Sequence, residues 1–95
     1  SDLPGKEHLF VIIDKDNRSV PLEYFGLLIS SNLKKLKYKS NKLLEKNSKN
    51  NLIKNSLVKC DAIYVVKEDS IVGKIGKVDI ELIEKYKQIY NNMIK

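Results

Sequence analysis

The sequence predicts an α+β domain: a small, strongly bent antiparallel sheet or open barrel with one C-terminal helix. Three observations predict it. Short apolar runs rich in β-branched residues are separated by turn residues. The one sustained helical period lies at the C-terminal end. At 95 residues, the chain suits one domain, read here as residues 1–95, since a core of this size forms without disulfide or metal staples.

The first strand is expected over His8 to Asp14. Leu9-Phe10-Val11-Ile12-Ile13 is a continuous apolar run, short enough to be a buried strand. Asp14 to Ser19 is turn chemistry. Pro21 lies outside the next strand, as a central ladder requires. That strand runs from about Tyr24 to Ile29 and ends at Ser30-Ser31-Asn32. Residues 32–56 show no clean period and read as a long basic loop. A helix is conceivable only around Asn41 to Lys46, before Asn47-Ser48-Lys49-Asn50-Asn51 breaks it. Loops of this length in compact domains are functional or disordered. Leu57 to Lys67 is the strongest strand, with a turn at Glu68-Asp69-Ser70 and a hairpin partner over Ile71 to Val78. Asp79 is placed as the N-cap of the helix. Leu82, Ile83, Tyr86, Ile89, Tyr90, Met93 and Ile94 form its apolar stripe.

Composition narrows the function. The single Cys60 excludes an internal disulfide, and a lone His8 beside it excludes a Cys/His-rich zinc site. No apolar run reaches the roughly 18–20 residues of a membrane helix. Ser1 to Gly5 has no basic-then-apolar signal pattern, so a cytoplasmic protein with no membrane partner is expected. The net charge is +6, and its distribution is uneven. Asn32 to Lys59 holds nine Lys against one Glu, whereas the remainder holds nine basic and eleven acidic residues. A basic segment of this kind suits an anionic polymer, whose counterions it releases on binding. A solvated lysine loop has the same composition.

There is no Gly-rich phosphate loop, no His-Glu-x-x-His and no nucleophile elbow. The constellation left is Lys59-Cys60-Asp61. Strand alternation puts Val58, Cys60, Ala62 and Tyr64 on an apolar face and Lys59 with Asp61 on the other. A carboxylate and an ammonium two residues apart on a rigid strand supply a base and an acid. The same two groups also make an ordinary surface ion pair, worth about 0–1 kcal/mol. Ser30 and Ser31 read either as turn formers or as hydroxyl donors to a phosphate. His8 reads either as a solvated side chain or as a phosphate contact that transfers protons near neutral pH.

These residues together resemble the toxin endoribonucleases of the MazF/PemK (Kid/CcdB-like barrel) superfamily. Asp2-Leu3-Pro4-Gly5-Lys6-Glu7-His8 resembles the loop after the family's first strand. Phe25 to Asn32 resembles the strand ending in Pro-Ile-Thr-Ser. Asn51 to Ile63 resembles a lysine-serine strand entering an Arg-Cys-Asp-Gln motif. Ile75-Gly76-Lys77-Val78 and the acidic start of the helix resemble the family's C-terminus. The resemblance implies an SH3-like barrel and a homodimer. The family's first strand is absent from this stretch of chain.

The activity it implies is cleavage of single-stranded RNA without metal or cofactor, leaving 2′,3′-cyclic phosphate and 5′-OH ends. Carried over by motif, Asp61 is the base and Lys59 the acid. Ser30 stands at the family's Thr, Ser31 at its Ser, and His8 where many members have Arg. Lys6, Lys34, Lys35, Lys37, Lys39 and Lys54 are expected to hold the RNA. The implied partner is a cognate antitoxin, either a protein or, as in the related RNA-inhibited toxins, an RNA repeat. Two positions depart from the pattern: Lys59 replaces Arg and loses its planar fork, and Ser30 replaces Thr but keeps the hydroxyl. A non-catalytic module of the same fold, binding RNA or antitoxin, is the alternative reading.

Overall fold

The computed structural model describes residues 8–94. Four antiparallel strands form one curled, half-barrel sheet in the order β1-β2-β4-β3, followed by one helix. The strands are β1 (Leu9–Asp16), β2 (Glu23–Ser30), β3 (Asn41–Leu44) and β4 (Ser56–Lys67), and the helix is α1 (Ile80–Met93). Short 3-10 turns lie at Leu33–Lys37 and Glu68–Ser70. Among the described residues this is the α+β half-barrel the sequence predicts.

β1 and β2 form a hairpin whose turn is held by Asp16. Its carboxylate accepts the Arg18 backbone N–H at 2.9 Å and the Ser19 hydroxyl at 3.1 Å. Two irregularities curl the sheet. Between Ile12 and Asp14, β1 gains one residue on β2. Between Lys59 and Tyr64, β4 gains three residues on β2, because Leu28 pairs with Lys59 and Gly26 with Tyr64. Extra residues of this kind bend a strand and increase its twist.

The second irregularity corrects the alternation expected for β4. Val58 and Cys60 do face the main core, but an odd number of inserted residues reverses the faces beyond it. Ile63 packs against the core instead of Tyr64. Tyr64 sits on the opposite face, its ring 5.6 Å from that of Phe10. Gly26 lies under this pair, and a Cβ there would stand 3.0 Å from Phe10 Cβ.

The main core joins Val11, Leu27, Leu44, Leu52, Val58, Cys60 and Tyr86. α1 contributes Tyr86, with Leu82, Ile83 and Ile89 packed around it. The stripe ends sooner than its period suggests, since Met93 and Ile94 are exposed. Asp79 holds the N-cap position, but its side chain makes no cap hydrogen bond and reaches Lys49 Nζ at 3.0 Å instead.

Two further expectations are corrected. Residues 41–46 do not form a helix. Asn41–Leu44 is a strand that pairs along β4, and β4 supplied the open edge that decided its conformation. Residues 71–79 form no strand either. β3 covers β4 only from Ser56 to Lys59, yet the segment does not pair along the rest of that edge and crosses the fold as a strap. The strap is tied to the 47–51 turn. Lys77 N–H donates to the Lys49 carbonyl at 2.9 Å, and Asn51 Nδ2 donates to the Ile75 carbonyl at 2.7 Å. At Gly76 a Cβ would lie 2.5 Å from the Asn50 carbonyl, which explains the glycine.

Candidate functional site

Strand register places Ser30 and Lys59 on the sheet face turned away from α1. Directly paired residues share a face. Leu28 pairs with Lys59 on β4, and Ser30 pairs with Leu57. Ser30 and Lys59 are therefore diagonal neighbours on one face, and Asn41 joins them from β3 by pairing with Lys59. Lys59 is half-buried between these two strands.

Ser30 closes β2, and its hydroxyl accepts the Asn32 N–H at 3.2 Å. It is thus a turn former whose own O–H proton remains to be donated. Ser31 follows it, exposed. His8, also exposed, immediately precedes Leu9, which pairs with Ile29. The first residue before β1 and the last of β2 therefore meet at one end of the sheet.

Asp61 lies at the other side of Lys59. It is exposed and enters the three-residue irregularity of β4. Four residues of strand separate the Leu57 register, where Ser30 sits, from Asp61. At about 3.3 Å per residue this is roughly 13 Å. The serine end and the carboxylate thus lie on either side of Lys59, not against one another. The ion pairs among the described residues involve neither Lys59 nor Asp61, so the close Lys59–Asp61 pair expected from spacing is not formed.

Between them, Cys60 is fully buried and its N–H donates to the Ser40 carbonyl at 2.9 Å. Burial pushes its thiol up to about 11, with Asp61 adding to the rise and Lys42 opposing it. The thiol is protonated at neutral pH and is a core group, not a nucleophile. Among the described residues, no three His, Cys, Asp or Glu side chains gather as metal ligands would.

The lysines divide by place. Lys34, Lys35 and Lys37 are exposed on the 3-10 turn that follows β2. Lys39 is exposed next to Ser40, so it and Asp61 flank the Ser40–Cys60 hydrogen bond. Lys54 is exposed beyond the opposite end of β3, where Leu44 pairs with Ser56. Lys6 lies outside the described residues, as does most of the N-terminal motif.

Three further residues belong to this region. Asn41 is buried; its Nδ2 donates to the Lys35 carbonyl at 2.9 Å, and its Oδ1 has no partner among the described residues. Tyr38 is exposed at the end of the lysine turn. Tyr64 shares the Lys59 face through its pairing with Gly26. An aromatic among lysines was visible in the sequence at Tyr38, whereas Asn41 had no periodic pattern to mark it.

These features define a small basic half-barrel whose face away from α1 carries Ser30 and Lys59 among apolar residues such as Leu28 and Leu57, bordered by a lysine-bearing turn. The chain belongs to the PemK-like, MazF-like toxins of type II toxin–antitoxin systems, whose family model matches residues 2–93. That is the superfamily its motifs resemble. No curated protein matches the chain. Among the described residues no helix is long and apolar enough to cross a membrane.

Proposed function

We propose that this chain is the endoribonuclease toxin of its toxin–antitoxin pair and cuts single-stranded RNA without a metal. The observation that carries the reading is the register of β2, β3 and β4. In support of the reading, Ser30 and Lys59 share a sheet face and the exposed Asp61 follows Lys59 two residues on, in a chain of this family.

In the proposed reaction the Asp61 carboxylate removes the proton from a ribose 2′-OH. The 2′-oxygen attacks the adjacent phosphorus, and the bond from phosphorus to the 5′-oxygen breaks. Lys59 protonates that leaving oxygen. The products are a 2′,3′-cyclic phosphate and a 5′-OH. Acid–base assistance of this kind contributes about 10²–10⁴-fold. The Ser30 and Ser31 hydroxyls donate to non-bridging phosphate oxygens, and His8 adds a donor at the same end. The separation along β4 suits a strand of RNA lying across the face, with its phosphates passing from the serine end towards Asp61. Lys34, Lys35, Lys37 and Lys39 hold the flanking backbone, with Lys54 and Lys6 as outer contacts. The reading includes a homodimer acting in the cytoplasm. The type II assignment favours a protein antitoxin over an RNA one.

The test is incubation of labelled single-stranded RNA with the purified chain in EDTA. Cyclic-phosphate ends are expected. Asp61→Asn and Lys59→Ala should each lower the cleavage rate by at least about 10²-fold. Their melting temperatures should stay within a few degrees of the parent, since Asp61 is exposed and Lys59 only half-buried. Normal cleavage by Asp61→Asn would remove the assigned base. Retardation of RNA without cutting would make the chain a binding module.

A further inference from the structure

We propose that Tyr38 is a stacking platform for one unpaired nucleobase of a bound RNA strand. The inference deepens the reading of the chain as an RNA-acting protein and assigns a residue that the catalytic groups do not require.

Tyr38 is 54% exposed, although it is a large aromatic side chain in a chain with few of them. It takes no part in the main core. Its surroundings are uniformly cationic. Lys34, Lys35, Lys37, Lys39 and Lys42 lie within four residues of it, and no acidic residue occurs from Leu33 to Leu44. Lys37 Nζ stands 5.4 Å from the centre of the ring. Aromatic faces set in a basic groove are how single strands are held without sequence readout. Lysines track the phosphates, and bases stack on the rings.

The backbone beneath the ring is fixed before any ligand arrives. Tyr38 N–H donates to the Lys35 carbonyl at 3.2 Å, and the Tyr38 carbonyl accepts the Asn41 N–H at 3.0 Å. The Asn41 side chain holds the same Lys35 carbonyl from below at 2.9 Å. Asn32 Oδ1 accepts the Lys34 N–H at 3.2 Å and closes the other end of the turn. Such a pre-ordered turn loses little further backbone freedom on binding. The placement also fits the proposed path of RNA. Asn41, three residues after Tyr38, pairs directly with Lys59, so a base on Tyr38 belongs to a nucleotide flanking the phosphate at Lys59.

The experiment uses the full chain carrying Asp61→Asn, so that RNA is bound and not cut, and a short single-stranded RNA of mixed sequence labelled for fluorescence anisotropy. Adding Tyr38→Ala should weaken binding roughly 5- to 100-fold, the range for loss of one base–aromatic stack. Tyr38→Phe keeps the ring and should bind within about twofold of the parent. Neither change removes a charge, so the dependence of affinity on salt should keep its slope. An RNA with an abasic site at the stacked nucleotide should bind the parent more weakly but bind Tyr38→Ala with no additional loss.

Unchanged affinity of Tyr38→Ala, or a loss that Tyr38→Phe shares, overturns the platform. So does the absence of any RNA binding by the Asp61→Asn parent, or a Tyr38→Ala defect confined to a protein antitoxin. The nuclease reading is judged separately by cleavage with Asp61 intact. A chain that binds RNA through Tyr38 but never cuts it retains the platform and loses the enzyme. A chain that cuts but ignores Tyr38 does the reverse.

Discussion

Two neighbouring polar segments, residues 32–39 and 47–52, do opposite work. The first holds four Lys and one Asn, the second three Asn and one Lys. In the first, the asparagine caps the end of a 3-10 turn and leaves Lys34, Lys35 and Lys37 exposed. In the second, the side chains turn inward. Asn50 is buried, accepts the N–H groups of Asn47 and Leu52 at 3.0 Å each, and donates to the Glu45 carbonyl at 2.8 Å. Asn47 accepts the N–H groups of Lys49 and Asn50 in turn. The first segment displays charge; the second is a hydrogen-bonded knot that anchors the strap before α1. What decides the two roles is where each asparagine finds a backbone partner.

The largest expected effect is on the knot. Asn50→Ala strips three backbone groups of their partner at a site 4% exposed. Buried groups left unpaired cost about 1–3 kcal/mol each, partly recovered by water, so a loss of about 3 kcal/mol is expected. For a chain of this length, that lowers the melting temperature by roughly 12–24 °C. Gly76→Ala should do comparable damage by driving a methyl into the Asn50 carbonyl. Thermal unfolding followed by circular dichroism checks both. A melting temperature within 2–3 °C of the parent would show that the strap is not anchored there.

A second effect comes from beneath β4 and touches neither segment. Cys60 has its thiol raised to about 11 by burial, from an ordinary value of 9.0. The folded form therefore keeps a proton that the unfolded form gives up. The stabilisation is full below about pH 9 and is lost as pH rises through about 11. Two units correspond to about 2–3 kcal/mol. Burial also raises the Tyr86 phenol, and its loss follows in the same alkaline direction. Denaturant titrations from pH 8 to 11 should show falling stability in the parent and a flatter curve in Cys60→Ala. An equal slope in both would assign the loss to other groups.

Much of this was readable from the chain itself, and the failures share one cause. β1, β2, β4 and α1 have local patterns strong enough to read: β-branched runs at Leu9 and Leu57 and a helical stripe from Leu82. β3 has none. Asn41-Lys42-Leu43-Leu44 is a strand because β4 offers it an edge, and that edge is a long-range fact. The opposite error falls at residues 71–78, whose β-branched residues lie in a strap tied to the 47–51 turn by hydrogen bonds between residues distant in sequence. The triplet Lys59-Cys60-Asp61 was visible as a motif, and burial of Cys60 agrees with its alternation. That Ser30 sits beside Lys59 and away from Asp61 was not visible, because strand register appears only when the strands are paired.

The smallest effects on stability sharpen the contrast most. Replacing Lys34, Lys35 and Lys37 together by Ala should leave the melting temperature nearly unchanged, since all three are exposed and none forms an ion pair among the described residues. Under the proposed function it should weaken RNA binding and lower the salt slope by about 2, at about 0.7 per phosphate contact on a single strand. Lys49→Ala removes only the ion pair with Asp79, whose side chains are 68% and 59% exposed. That costs about 0–1 kcal/mol, and because Lys49 is held against the start of α1 its loss should leave the salt slope unchanged. One lysine is then structural and three are available to a phosphate chain, although composition makes no distinction among them. If Lys49→Ala lowers the slope as much per charge as the triple variant, the two segments form one continuous electrostatic surface, and the division between display and anchoring fails at that residue.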